Sequence, residues 1–380
     1  KEVNYLVKEF ECKKAADSYA RASTARTGVL DTSNLHTYKF NEDLFKKVSV
    51  LPDGKNHGLI FVLDWSGSMQ NVMLDTCKQL YNLLWFCKKV NIPFEVYGFT
   101  NEWKGRSFDE YGRITGSDQT PCYEEGEHML HVDSDFSLMN FFTSKVSGKE
   151  LEQQMKNIWR IAYAFSNRYS GQYSWPMRLS LSGTPLNESL VCLHQILPKF
   201  QRENKLQKVQ CVVLTDGEAC PLQYNKWMES KYYDGPFFAK RRIDPDRTIL
   251  RDRKLGTTYK IEYRYNDFVD TMITNLKDNF PTVNFIGIRV LSPRDARSFM
   301  RLYKDTDKCQ VEWLKTKSFC IKSSGYDAYF GISANALAQD SEFDVKDDAT
   351  KAQIKSAFVK SLRVKKLNKK VLGEFISLVV

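Results

Sequence analysis

The 380-residue sequence predicts an α/β fold in which a doubly wound, mostly parallel sheet is flanked by helices. Three observations predict this fold. Short runs of residues are apolar throughout, as in strands; they alternate with amphipathic helical patterns; and two of them end abruptly in small oxygen-bearing residues. Strands that are apolar throughout are buried on both faces, and helices on both faces of a parallel sheet provide that burial.

The first strand-like run is HGLIFVLDWSGSM, in which the five apolar residues 59–63 lead directly into DWSGS. Residues 74–90 then carry apolar side chains at helical spacing, and IPFEVYGFT follows as a second strand. Residues 101–149 are less regular, and a helical stripe covers 151–165. The order so far is strand, helix, strand, irregular region, helix.

The second half of the chain repeats this alternation. A Gly/Pro loop, SGTPLNE, precedes a helix with leucines at 186, 190, 193 and 197, and the strand VQCVVLTDGEA follows. Helical patterns at 267–279 and 294–303 enclose the strand TVNFIGIRV. The link between TDG and the helix at 267 is longer than usual, so we expect an insertion at about 221–266 with a β-hairpin around a Lys-Leu-Gly turn.

These patterns predict three parts of the chain. Residues 1–56 form an N-terminal lead-in segment, residues 57–340 form the α/β domain with its insertion, and residues 341–380 form a helical C-terminal extension. No apolar run approaches the length of a membrane span, so we expect no membrane insertion. Nine cysteines without a CxxC pair favour a reducing compartment, which predicts a cytoplasmic protein.

A net charge of +10 and a pI of about 9.0 raise the question of a nucleic-acid or acidic partner. One basic cluster, residues 240–254, is expected on the hairpin of the predicted insertion, and a solvated surface is the alternative interpretation. Its candidate contact residues are Lys240, Arg241, Arg242, Arg247, Arg251, Arg253 and Lys254.

Hard oxygen ligands follow three of the predicted elements. Asp64, Ser66 and Ser68 come from DWSGS, Thr184 comes from SGTPL, and Asp216 comes from TDGEA. Ligands of open α/β sheets bind beyond the carboxyl ends of the strands, so these side chains should meet there. Asp64 ends a buried strand, and we expect it to point its carboxylate at solvent and a cation. Two carboxylates and three hydroxyls suit Mg²⁺. The alternative is that they are polar strand caps without a metal.

The order DxSxS, Thr and Asp-Gly resembles the metal-ion-dependent adhesion site of the von Willebrand factor A domain. The resemblance implies that Asp64, Ser66, Ser68 and Thr184 hold the cation directly or through water. Asp216 would bind the cation directly or contact one of the groups that bind it. It implies Mg²⁺, or Mn²⁺ or Ca²⁺, with the last coordination position left for a carboxylate of a partner protein. The implied site is a metal-dependent protein latch.

A longer resemblance covers residues 1 to about 220. TARTGVLDTSNLHTYKF (24–40), PDGKNHGL (52–59), LDWSGSM and SGTPLNE are similar to the von Willebrand factor A subunit of aerobic cobaltochelatase, which has phage-encoded relatives. The resemblance implies an adaptor subunit, catalytically silent by itself, that works with a hexameric MoxR-type AAA+ ATPase on a client protein. For a phage-encoded relative, the compartment is the host cytoplasm.

Other function classes have weaker support. The sequence has no GxxxxGK[ST], HExxH or GxSxG motif, so an ATPase of its own and a standard peptidase are disfavoured. His128 and His131 are a weak zinc pair without an obvious third ligand. We expect Trp65 to contact the partner, with packing under a loop as the alternative. Glu218 should contact the partner or tune the site, with a helix-start carboxylate as the alternative.

Overall fold

The computed structural model describes thirteen stretches of the chain. They are residues 23–30, 45–50, 57–101, 106–108, 110–111, 114–117, 123–133, 135–166, 174–176, 179–229, 235–261, 267–303 and 306–334. The predicted C-terminal extension, 341–380, lies outside them, and so does most of the predicted lead-in segment, 1–56. The division into these parts therefore stays a prediction.

Sixteen strands and six α-helices occur among the described residues. The strands are β1 (Ser23–Leu30), β2 (Phe45–Val50), β3 (His57–Asp64), β4 (Phe94–Asn101), β5 (Arg106–Phe108), β6 (Ile114–Ser117), β7 (Leu130–His131), β8 (Phe136–Thr143), β9 (Lys208–Thr215), β10 (Gln223–Met228), β11 (Phe237–Arg242), β12 (Ile249–Arg251), β13 (Thr258–Lys260), β14 (Val283–Leu291), β15 (Ser318–Ile321) and β16 (Ala328–Ser333). The α-helices are α1 (Met73–Lys89), α2 (Gly148–Ser166), α3 (Leu186–Asn204), α4 (Asp267–Asn279), α5 (Pro293–Leu302) and α6 (Thr306–Thr316).

A seven-stranded sheet forms the centre of the fold. Its strand order is β15-β16-β14-β9-β3-β4-β8, and the five inner strands are parallel. Both edge strands are antiparallel to their neighbours. The mostly parallel α/β sheet predicted from the apolar runs is therefore confirmed, although the edge strand β8 falls in the region that the sequence left irregular.

Helices cover both faces of this sheet. On one face, α1 and α2 pack with Leu63, Leu84 and Phe142 in one apolar cluster. On the other face, α3, α4 and α5 contribute to a second cluster around Val62, Val213 and Phe285. Five helices were predicted from apolar spacing, and all five are present. The patterns at 74–90, 151–165, 267–279 and 294–303 correspond to α1, α2, α4 and α5, and the leucines at 186, 190, 193 and 197 lie on α3. No helix of the described residues is both long and apolar enough to cross a membrane.

The predicted insertion contains two hairpins. Strands β10 and β11 pair with each other, and β7 adds to them to form a three-stranded sheet. Strands β12 and β13 form the predicted second hairpin, whose turn is closed by a hydrogen bond from Gly256 N to Asp252 O at 2.8 Å. Gly256 has φ +71°, a conformation that favours glycine. The basic stretch 240–254 was expected on one hairpin; it is instead divided between β11 and the β12–β13 hairpin.

Candidate metal site

Three chain segments meet at the carboxyl ends of β3 and β9. These strands are parallel neighbours, with Leu63 opposite Leu214, so Asp64 and Asp216 leave the sheet at the same edge. The loop before α3 joins them through a parallel bridge between Ser66 and Ser182. Gly67 N donates to Ser182 O at 2.8 Å, which fixes this loop against the turn after β3.

The side chains predicted as metal ligands are brought together by this arrangement. Ser66 Oγ lies 3.0 Å from Ser68 Oγ, and Ser68 Oγ donates to Asp216 Oδ1 at 2.7 Å. The hydroxyl of Thr184 faces the same space, since a Cβ on Gly217 would lie 3.9 Å from Thr184 Oγ1 and 3.7 Å from Ser68 Oγ. Because Gly217 has no side chain, an open space remains between the hydroxyl groups of Ser66, Ser68 and Thr184. We call this space the hydroxyl cradle.

Asp64 lies beneath this cradle. Its side chain is fully buried, so the expectation that this carboxylate points into solvent is wrong. Oδ2 accepts a hydrogen bond of 2.6 Å from Thr215 Oγ1, whereas Oδ1 has no hydrogen-bond partner among the described residues. Burial raises the pKa of Asp64 to about 7, although the hydrogen bond from Thr215 and the nearby hydroxyl and backbone amide of Ser66 act in the opposite direction.

Asp216 lies nearer the surface and is partly buried. Burial also raises its pKa, and the hydrogen bond from Ser68 and the positive charge of Arg289 oppose that rise. The two carboxylates repel each other, which adds to the raised pKa of Asp64. A cation between them would remove this repulsion.

The backbone around Thr184 is fixed by hydrogen bonds. Thr184 O accepts from the backbone nitrogens of Leu186 and Cys220, both at 2.9 Å. Asn187 Nδ2 then donates to Cys220 O at 2.9 Å, which ties the first turn of α3 to the segment after β9. The loops that carry Thr184 and Asp216 are therefore held together before any ligand binds, as a preorganised site requires.

Thr215 is a site residue that the sequence reasoning missed. Its hydroxyl donates to Asp64 and also accepts from Gly217 N at 3.1 Å, so it connects the two carboxylate-bearing turns. The available signal was its position, since Thr215 is the last residue of a buried strand and directly precedes Asp216. A hydroxyl at such a position needs a buried partner.

Trp65 does not lie at the rim of the site. Its side chain is fully buried, its Nε1 donates to Leu179 O at 2.8 Å, and its ring packs edge-on against Phe141 at 4.9 Å between centroids. The expectation that Trp65 contacts a partner is wrong, because the turn after β3 directs this ring into the core between the sheet and α2. The alternative interpretation, packing under a neighbouring segment, is the one that the structure bears out.

Glu218 is exposed and lies beside Arg289. The carboxylate oxygen is 3.7 Å from Arg289 Nη2, and the guanidinium also packs over the ring of Phe299 at 4.8 Å. No helix begins at Glu218, because the chain continues to strand β10, so the helix-start interpretation is wrong. Glu218 remains available at the surface next to the cradle, with its charge balanced by Arg289.

The predicted basic contact residues lie on the insertion and do not join the cradle. Lys240, Arg241 and Arg242 are exposed on β11, where Lys240 Nζ lies 3.7 Å from Asp133 Oδ2 and Arg241 Nη2 lies 2.9 Å from Met228 Sδ. The others are also exposed: Arg247 precedes β12, Arg251 ends it, and Arg253 and Lys254 form the turn of the β12–β13 hairpin.

The residues of the cradle fit a hard cation. Asp64 Oδ1 is a buried carboxylate oxygen without a hydrogen-bond donor among the described residues, and the nearby oxygens are hydroxyls and a second carboxylate. Within the described ranges, no group of three or more His, Cys, Asp and Glu side chains has a metal-binding arrangement, and His131 Nδ1 instead contacts Asn225 Oδ1 at 2.8 Å. A cation here would depend on hydroxyl and water oxygens, which Mg²⁺ accepts.

No protein-family model and no curated protein matches the chain. Among solved structures, the pilus adhesin SpaC from Lactobacillus rhamnosus GG matches at 15% identity and TM-score 0.36, covering 84% of this chain and 31% of that chain. The open conformation of SpaC matches at 15% identity and TM-score 0.33, with the same coverage. Three N-terminal domains of the type V pili tip protein Mfa5 from Porphyromonas gingivalis match at 12% identity and TM-score 0.23, covering 61% of this chain and 27% of that chain. This chain spans less than a third of the length of these chains.

Proposed function

We propose that the chain is a metal-dependent protein-interaction subunit of the von Willebrand factor A type. Asp64, Ser66, Ser68, Thr184 and Asp216 would hold Mg²⁺, which when bound would supply an open coordination position for a carboxylate of a partner. The single observation that carries the proposal is Asp64 Oδ1, which is buried beneath a cluster of hydroxyls and has no hydrogen-bond partner in the part of the chain that the structure describes. A buried carboxylate oxygen without a donor is costly, and a cation is the group that would compensate it.

The residues of the site have separate tasks in this proposal. Thr215 orients Asp64 by its hydrogen bond to Oδ2 and leaves Oδ1 directed away from that bond. Ser68 orients Asp216. Gly217 keeps the space between Ser68 and Thr184 open. The exposed position of Ser68 gives a partner carboxylate access to the cradle from solvent.

The partner assignment rests on the sequence resemblance. A cobaltochelatase-type subunit works with a hexameric MoxR-type AAA+ ATPase, and the latch would hold a carboxylate of that ring or of the client. The proposed role is that of an adaptor that couples nucleotide-driven motion to a client protein, in the cytoplasm of a cell or of a phage host. The chain itself performs no chemical step in this proposal.

The test begins with the purified chain and MgCl₂ in a calorimetric titration. Wild type should bind one Mg²⁺ per chain, Asp64→Ala should not bind it, and Ser68→Ala should bind about tenfold more weakly, because water can replace one neutral ligand. Ser182→Ala is the matched control, since Ser182 is an exposed serine of the same loop region that is not a proposed ligand. Equal Mg²⁺ affinity of Asp64→Ala and wild type, with both proteins folded, would refute the site.

Affinity capture then tests the partner. Wild-type chain, Asp64→Ala and Ser182→Ala are each incubated with native lysate at one salt concentration, with Mg²⁺ or with EDTA. An AAA+ ATPase retained by wild type and Ser182→Ala with Mg²⁺, and lost with EDTA or with Asp64→Ala, is the expected result. Retention that ignores both EDTA and the substitution would contradict the latch.

Nucleic-acid binding is a second candidate, and one feature of β10 and β11 favours it. Trp227 is 45% exposed and packs edge-on against Phe238 at 4.8 Å, with Lys240 and Arg242 on the same face of the hairpin. Exposed aromatic rings beside basic side chains suit single strands. Such binding should fall steeply as salt rises and should be unchanged by EDTA, which separates it from the latch.

A further inference from the structure

A groove of about 1420 Å³ lies beside α3, away from the hydroxyl cradle. One wall is the edge strand β8, the second is the outer side of α3 at Val191 and Gln195, and the third is the β12–β13 hairpin. The groove is larger than the roughly 300–1,000 Å³ of pockets for small molecules. Its volume is about that of three turns of an α-helix with a diameter of about 10 Å.

The groove exists because the sheet is covered unevenly at this edge. Helix α2 packs against β8 on one face, where Phe142 joins the first apolar cluster. On the other face, Phe136 and Leu138 of β8 belong to the second cluster, whose neighbouring helix is α3. The space beyond α3 is bordered by the insertion rather than filled by another helix of the described residues.

Most of the side chains that line the groove are apolar. They include the side chains of Val132, Leu138, Val191, Ile243, Leu250 and Ile261. Two large apolar side chains at its border are solvent-exposed, Ile249 by 63% and Met129 by 40%. Exposed apolar side chains around a concave surface are typical of interaction sites.

The charge of the groove has one sign. Arg247, Arg251 and Arg253 line it, and no Asp or Glu is among its described lining residues. Arg247 Nε lies 3.8 Å from Asp244 Oδ2, a solvent-exposed pair that contributes little. Arg251 and Arg253 form no ion pair with a described residue.

The carboxylate closest in sequence to these arginines is already engaged elsewhere. Asp252 Oδ2 accepts hydrogen bonds of 2.8 Å from the side chains of Asn275 and Asn279 on α4, and Oδ1 accepts from Lys254 N and Leu255 N. These bonds hold the pKa of Asp252 well below its usual range. Asp252 therefore anchors the hairpin to α4 and leaves the charges of Arg251 and Arg253 for a ligand.

We propose that this groove binds an acidic amphipathic helix of a partner protein, with apolar side chains on the floor and carboxylates against the three arginines. An amphipathic helix in an apolar groove is a recurring mode of peptide recognition, and the arginines select its charge. The groove does not include any residue of the hydroxyl cradle, so binding here requires no metal. The two proposals can therefore fail separately.

The probe is a fluorescein-labelled synthetic peptide of about 18 residues, with Leu on one helical face and Glu elsewhere. Its binding to the full chain is measured by fluorescence anisotropy at a fixed ionic strength of about 0.15 M, with EDTA present. The comparison peptides are a scrambled sequence of the same composition and a version with Lys in place of Glu. We expect saturable binding of the acidic amphipathic peptide only.

Two pairs of variants locate the binding. Arg251→Glu with Arg253→Glu should weaken it about tenfold or more, because two attractions become repulsions. The matched control is Lys308→Glu with Lys315→Glu, on exposed positions of α6 beside the opposite edge strand β15. It changes the net charge equally and should leave the affinity within about twofold.

The apolar contribution is tested in the same way. Ile249→Ser should weaken peptide binding about fivefold, whereas Leu314→Ser, at a residue 65% exposed on α6, should not. Thermal melts of all variants verify that the fold is retained. Absence of binding by wild type, equal binding by the Arg251 and Arg253 variant, or displacement of the peptide by oligothymidylate of equal length would each overturn the proposal, the last in favour of nucleic acid.

Discussion

Replacing Asp64 by Asn should make the metal-free protein more stable at pH 8. In EDTA, wild type must keep a fully buried carboxylate whose Oδ1 has no donor among the described residues. A pKa raised from 3.8 to about 7 corresponds to about 4 kcal/mol of penalty for the ionised form, at about 1.36 kcal/mol for each tenfold change. Asn keeps the shape and can still accept from Thr215.

The sign of the pH dependence follows from the same numbers. Between 3.8 and about 7 the folded state holds a proton on Asp64 that the unfolded state has lost, so stability falls as pH rises. The free-energy penalty of the buried carboxylate is absent below pH 3.8 and complete above about pH 7. From pH 5 to pH 8, the free energy of unfolding of wild type should therefore fall by about 3 kcal/mol more than that of Asp64→Asn. The reason is that about 2 pH units, from 5 to about 7, lie between the two pKa values.

The assay is urea denaturation of wild type and Asp64→Asn at pH 5 and pH 8, in EDTA and in saturating Mg²⁺. At a concentration of about 100 times the dissociation constant, Mg²⁺ should add about 2.7 kcal/mol to wild type at pH 8 and far less to the variant. Glu188→Gln is the matched control, because burial raises the pKa of Glu188 to about 7 as well and its Oε2 has no donor among the described residues.

Glu188→Gln should flatten the pH dependence but keep the full response to Mg²⁺, because Glu188 is not one of the proposed ligands. If wild type and Asp64→Asn lose stability in parallel between pH 5 and pH 8, Asp64 is not the desolvated group and the argument from burial is refuted. If Mg²⁺ stabilises Asp64→Asn as much as wild type, Asp64 does not belong to a cation site.

Three further substitutions test other parts of the site. Gly217→Ala should weaken Mg²⁺ binding about tenfold in calorimetry, because the new methyl group fills the cradle. The melting temperature in EDTA should stay nearly unchanged, because the methyl group would lie 3.7 Å from Ser68 Oγ, an ordinary contact. An unchanged Mg²⁺ affinity would contradict the cradle. Trp65→Ala should lower the free energy of unfolding in urea by about 3–5 kcal/mol, because the ring is fully buried. A variant of full stability that no longer binds the partner would instead assign Trp65 to the partner contact. Arg289→Met should tighten Mg²⁺ binding about two- to fivefold, because it removes a positive charge beside Asp216. Weaker Mg²⁺ binding by this variant would mean that Arg289 helps to hold the site in its binding geometry.

The sheet and most of its helices could be predicted from the sequence because each has one dominant pattern. Strands β3 and β9 are apolar along their length, and α1 and α4 have apolar residues at helical spacing. The edge strand β8 lacked such a pattern, because a strand at the edge of a sheet is less buried than an inner strand. Four of its residues are only partly buried or exposed: Ser137, Leu138, Met139 and Asn140. Pairing with β4 determines its structure, and pairing is not a local property.

The side chains that meet at the cradle could be named from the sequence, but how deeply each one is buried could not. Asp64 and Trp65 begin the run DWSGS, which is rich in small polar residues, and both were therefore expected to face solvent. The turn after β3 instead buries both, because Trp65 N bonds to Phe99 O and continues the pairing of β3 with β4 for one residue. Whether a strand ends at its last apolar residue or one residue later decides which side chains are exposed, and the composition of a short loop does not contain that information.

As proposed, the groove and the cradle would select the same kind of partner by different means. The cradle would take one carboxylate through a cation, and the groove would take several through Arg247, Arg251 and Arg253. Helix α3 connects them, since its first turn is tied to the Thr184 loop and its side chains at Val191 and Gln195 line the groove. An acidic partner long enough to reach both would bind through the product of two modest affinities and an effective concentration. Loss of Mg²⁺ would then weaken such a partner without releasing it from the groove, so the cation would regulate how long the partner stays bound.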